Sequence, residues 1–81
     1  MNDYLKRKIA EYKKSIKAYE RKYGMSYEEF EKKIEDRNFL DKLEKQIGTI
    51  QVENDYFDWG GFVSEVRYLE KRLSELSSGV R

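Results

Sequence analysis

A chain of 81 residues with 41% charged side chains and a net charge of +1 forms one small domain with a modest core. It has no Cys, His or Pro, so disulfides and thiolate metal sites are excluded, the commonest general base and metal ligand is missing, and nothing forces a helix kink. No apolar run approaches the ~18 residues of a membrane span or reads as a signal-peptide core, so the expectation is a cytoplasmic protein with no membrane partner.

Residues 1–23 read as one helix. Leu5, Ile9, Tyr12, Ile16, Tyr19 and Tyr23 follow at spacings of 4, 3, 4, 3 and 4, which is a heptad seam. Asn2 suits the N-cap, Asp3 suits the positive end of the dipole, and Gly24 suits a left-handed C′ position. Arg7, Lys14 and Arg21 form a column opposite the seam. Ser26-Tyr27-Glu28-Glu29 is a capping box that opens a second helix, with Met25 and Phe30 as its hydrophobic staple. The turn is then only Gly24-Met25, the mark of an αα-hairpin.

Tyr27, Phe30 and Ile34 face inward, but that phase would bury Arg37 and Asp41, whereas Leu40, Leu43 and Ile47 share another stripe. A break or kink near Asp36-Arg37-Asn38, restarting with Asn38 as N-cap, is favoured over a continuous helix with a shifted face. Gly48 closes this segment. Thr49 to Asn54 has β-branched residues at alternate positions and predicts a short extended linker laying Ile50 and Val52 on the core.

The last helix is expected from Asn54 or Asp55, both good N-caps. Trp59, Phe62, Val66, Leu69, Leu73 and Leu76 follow at spacings of 3, 4, 3, 4 and 3, one apolar stripe that must be buried. Gly60 and Gly61 have two readings: the regular helix begins only at Gly61 or Phe62, or the glycines let another backbone approach closely. Residues 77–81 should fray. The fold class expected is all-α, with helices over about 3–23, 27–47 and 56–77 in an antiparallel hairpin or bundle that self-associates.

Charge is unevenly spread. Residues 1–23 hold eight basic and three acidic side chains (+5), residues 25–58 five and ten (−5), and residues 59–81 four and three (+1). Mutual attraction of a basic first helix and an acidic middle packed side by side explains this more simply than a nucleic-acid footprint. Carboxylates are many, but none pair as acid and base; Glu53, Asp55 and Asp58 are explained by helix capping, and calcium-loop spacing and glycine-rich phosphate loops are missing. No enzyme, catalytic residue, metal or cofactor is expected.

Two segments carry a resemblance. Residues 22–35, KYGMSYEEFEKKIE, and 55–73, DYFDWGGFVSEVRYLEKRL, resemble short helical antitoxin-like proteins of prokaryotic two-gene toxin–antitoxin modules. That family runs from a charged helix through a KYGMS-EEF turn and an acidic middle to an aromatic DYFEW entry and a closing helix. The resemblance implies a non-enzymatic protein that neutralises a partner, a toxin encoded nearby, and it carries over to Tyr56, Phe57 and Trp59. Gly60 and Gly61 depart from the family, where bulkier or acidic residues are usual.

The leading expectation is therefore an interaction module that binds a partner protein through Tyr56, Phe57, Trp59, Gly60, Gly61 and Phe62. One alternative is a nucleic-acid-binding helical dimer using Arg7, Lys14 and Arg21. The other is a purely structural homo-oligomer.

Overall fold

The computed structural model describes residues 2–79, and the side chains of residues 3–76. It contains four helices and, among the described residues, no strand: α1 (Asn2–Tyr23), α2 (Tyr27–Lys33), α3 (Arg37–Ile47) and α4 (Thr49–Gly79). They form a rod of 54 × 19 × 18 Å. No helix among the described residues is long and apolar enough to cross a membrane.

The first two helices form as their local signals dictate. Asn2, expected as the N-cap, is the first helical residue, and its side chain lies outside those described. Gly24 ends α1 at φ 71°, and its N–H donates to the Glu20 carbonyl at 2.7 Å. Ser26 then caps α2 in a complete capping box with Glu29. Met25 packs against the cluster that holds the fully buried Phe30. Glu28 reaches across to Arg67 of α4.

The expected break is present, but Asp36 caps α3 in place of Asn38, its Oδ1 accepting from the Asn38 N–H at 2.9 Å. A carboxylate two residues ahead of an orphan N–H is the better acceptor, and it leaves Asn38 free to be helical. The break lets Ile34 on one side, and Leu40, Leu43 and Ile47 on the other, all pack on the same cluster.

The stretch from Thr49 to Asn54 is not a linker. It is the first part of α4, separated from α3 by Gly48 alone. Gly48 lies at φ 96° and ψ 141°, donates to the Glu44 carbonyl at 2.7 Å and accepts from the Val52 N–H at 3.1 Å. One glycine thus ends one helix and starts the next. The β-branched residues cost at most about 0.7 kcal/mol each in a helix. Burying Val52, which is 3% exposed, is worth ~1.5–3 kcal/mol and outweighs its share. Ile50 was expected on the core beside Val52 and instead is 74% exposed. Residues two apart share a face on a strand but lie nearly opposite on a helix.

The regular helix also does not wait for Gly61 or Phe62, since Gly60 and Gly61 lie well inside α4. The helix continues to Gly79, and the rest of the tail expected to fray lies outside the described residues. Along the α1–α4 interface, numbers rise on α1 as they fall on α4. Ile9 clusters with Val66 and Leu69, Tyr12 meets Phe62, Tyr19 meets Trp59, and Tyr23 meets Asp55. A second cluster around Phe30, Val52 and Trp59 gathers all four helices at one end of the rod.

Candidate functional site

The six residues expected to meet a partner divide into an inward and an outward group. Trp59, expected at a partner surface, is fully buried in the chain itself. Tyr19 and Tyr23 stack on it at centroid distances of 5.7 and 5.5 Å, Tyr27 meets it edge-on at 5.4 Å, and Phe30 packs at 5.1 Å. Among the described residues its Nε1 has no hydrogen-bond partner, the cost of enclosing an indole within rings. Phe62 is half-buried, tilted against Tyr12 at 5.6 Å and Tyr19 at 6.3 Å, so it too serves the α1 interface.

Gly60 is explained from within. A Cβ there would lie 2.5 Å from the Tyr27 hydroxyl oxygen and 3.0 Å from Cζ. The close approach anticipated at the glycine pair is made by a ring of α2, not by another backbone. That ring is held by Trp59 on one side and by Tyr56, stacked at 5.7 Å, on the other. Tyr56 is half-buried, and its hydroxyl donates to Glu31 Oε2 at 3.3 Å.

Phe57 and Gly61 remain. Phe57 is 73% exposed, and among the described residues nothing beyond Gly61's chain neighbours and the backbone of its own helix lies within 4 Å of a Cβ built on Gly61. Shallow depressions flank Gly61, one reaching Tyr56 and Ser64 and the other Asp58 and Glu65. Residues 50, 54, 57, 61, 64 and 68 follow at spacings of 4, 3, 4, 3 and 4, and all six are exposed. This outer stripe of α4 was not recognised in the sequence, although its period is as regular as that of the buried one.

Asp55 also departs from the capping role expected of it. It is not a cap but a buried residue, 5% exposed, in register between Val52 and Trp59 on the inner stripe. Its Oδ2 accepts from Lys22 Nζ and from the Tyr23 hydroxyl, each at 2.5 Å, and its Oδ1 accepts from Gln51 Nε2 at 3.0 Å. Burial pushes its pKa up, but the bonds from Lys22, Tyr23 and Gln51 outweigh it and hold the carboxyl below its ordinary value. Burial, and then the bond to Asp55, pushes the Tyr23 phenol well above the ordinary tyrosine range. This cluster acts as a polar staple between α1 and α4.

Arg7, Lys14 and Arg21 are exposed, and among the described residues none is in an ion pair or hydrogen bond. The basic helix spends other side chains on packing: Lys13 pairs with Glu70 at 2.9 Å, and Lys22 with Asp55. Among the described residues no group of three or more acidic side chains is placed to hold a metal ion.

No curated protein and no solved structure matches this chain. Its whole length, residues 1–81, matches the uncharacterized protein MJ0235 family, and the chain belongs to that family.

Proposed function

We propose that this chain is a non-enzymatic protein-interaction module, antitoxin-like in kind, an antiparallel helical bundle that presents the outer face of α4 to a partner protein. The observation that carries the reading is Phe57, 73% exposed beside the open Gly61 on a helix whose opposite face is already buried. An exposed aromatic next to a notch in the backbone is the form of an interface anchor. The resemblance of residues 22–35 and 55–73 to antitoxin-like proteins supports a partner encoded by an adjacent gene. Of the six residues first expected at the interface, Phe57 and Gly61 carry it, with Tyr56 at its edge. Trp59, Gly60 and Phe62 hold the helix that presents them.

The test is co-purification of the tagged chain with the product of the adjacent gene. Capture is expected from the parent and lost in Phe57→Ala, with melting temperature within a few degrees of the parent. Capture that persists undiminished in Phe57→Ala would sink the reading.

A second reading is favoured by one observation: Arg7, Lys14 and Arg21 are not consumed by packing against the acidic middle. They stand as a column of free cations suited to phosphates. This reading expects duplex or single-stranded nucleic acid to bind with an affinity that falls steeply with salt and weakens on changing the three to Ala. Binding insensitive to those changes rejects it.

A further inference from the structure

Ile50, Phe57 and Tyr68 are 74%, 73% and 55% exposed. They are three of the five large apolar side chains that stand exposed among the described residues. All three lie on the outer stripe of α4, with Gly61 and Ser64 between Phe57 and Tyr68. From residue 50 to 68 this stripe is about 27 Å long at ~1.5 Å per residue. Two large side chains with a saddle of small ones between them let a second helix approach closely.

The charges beside the stripe say what that helix carries. The chain has 17 Lys and Arg, yet none falls between residues 49 and 66. The same segment holds Glu53, Asp55, Asp58 and Glu65. Asp55 is turned inward and paired with Lys22. Glu53 on one edge of the stripe, and Asp58 and Glu65 on the other, are exposed. Basic side chains return only at Arg67, which pairs with Glu28, and at Lys71 and Arg72 beyond Tyr68. A second copy laid on this face would bring acidic edges against acidic edges over residues 58–65.

We infer that the outer face of α4 from Ile50 to Tyr68 docks a basic amphipathic helix of a partner protein. Its apolar residues sit over Phe57 and the Gly61–Ser64 saddle, and Lys or Arg line both of its flanks. The inference rests on the proposed interaction module and adds the partner's chemistry. The partner helix is basic opposite residues 53–65 and neutral or acidic opposite Lys71 and Arg72, which fixes its direction.

The test uses two synthetic helical peptides with Leu at alternating spacings of three and four, one flanked by Lys and one by Glu. The Lys-flanked peptide is expected to bind the full chain and to shift amide resonances of residues 50–68. Its affinity should fall at least tenfold in Phe57→Ala and in Gly61→Leu, and fall again as salt is raised. The combined change Glu53→Lys, Asp58→Lys and Glu65→Lys should reverse the preference to the Glu-flanked peptide. Equal binding of the two peptides, shifts confined to another face, or no binding of either overturns the inference. So does a solution mass showing that copies associate through Phe57, because the face is then self-covered. If neither peptide binds but capture of the partner protein still depends on Phe57, the basic-helix inference falls and the interaction module stands. If capture ignores Phe57, both fall.

Discussion

Asp55 occupies a position where a heptad seam ordinarily carries an apolar side chain, and it remains charged there because three donors meet it. Hydrogen bonds to a charged group are worth ~1.5–3 kcal/mol each way of breaking them. Asp55→Asn keeps the shape but loses the charge, so a loss of about that size is expected in urea unfolding. Changing the exposed Glu53 to Gln should have an effect of under about 0.5 kcal/mol. At the neighbouring glycines the signs differ. Gly60→Ala must displace the Tyr27 ring and should destabilise. Gly61→Ala meets nothing and should stabilise by ~0.5–1 kcal/mol, the ordinary helix preference of Ala over Gly. Equal and like-signed effects on melting temperature would show that Tyr27 yields freely. Trp59→Ala should cost ~3–5 kcal/mol by emptying the centre of the aromatic cluster, a large fraction of the stability of a chain of this size.

The elements show which local signals suffice. The capping box at Ser26 and the left-handed Gly24 form as their residues predict, because their partners lie within four positions in sequence. The start of α4 does not follow its local signal. Asn54 and Asp55 are good caps, yet the helix begins five residues earlier, at Thr49. Val52 and Asp55 both have tertiary partners waiting at helical spacing, and a strand-like linker has none. Gly48 makes this junction by holding φ 96° and ψ 141°, a conformation other residues adopt at a cost of ~1–3 kcal/mol. Gly48→Ala should therefore lower stability by about that amount without touching any side chain. Hydrogen exchange that is faster at the α3–α4 junction than at the α1–α4 seam would locate the effect.

At the scale of the molecule, stability should fall on both sides of neutrality. Asp55 has a folded-state pKa below its ordinary value of 3.8. Its contribution is complete above that value and is lost as pH falls through the folded-state one. Tyr19, Tyr23 and Tyr27 are all raised above 10.0, each first by burial, then by the charges of Asp58 and Asp55, by the bond to Asp55, and by Tyr56 respectively. Their contribution is complete below about pH 10 and declines as pH rises toward the folded-state values. Melting temperature against pH should show a plateau with an acid and an alkaline shoulder. Asp55→Asn should flatten the acid shoulder; an unchanged acid limb would mean that the staple is not the titrating element.

The helical class, the inner seams and the turn chemistry were legible in the order of the residues. Those rest on period and on partners a few residues away, so they are legible without the fold. The aromatic run from Tyr56 to Phe62 also stands out in the sequence, and Tyr56 and Trp59 of that run belong to the cluster that gathers all four helices. Which of those rings are exposed and which are enclosed depends on how the helices pack. Tyr56, Phe57, Trp59 and Phe62 differ little in chemistry, and about half a turn of helix separates the fully buried Trp59 from the exposed Phe57. That phase depends on where α4 starts, and the start is set by the distant partners Lys22, Tyr23 and Phe30 that hold Asp55 and Val52 inward. Contacts across more than thirty positions of sequence carry no local signature, so the outer face of α4 became readable only when α1 and α4 were seen together.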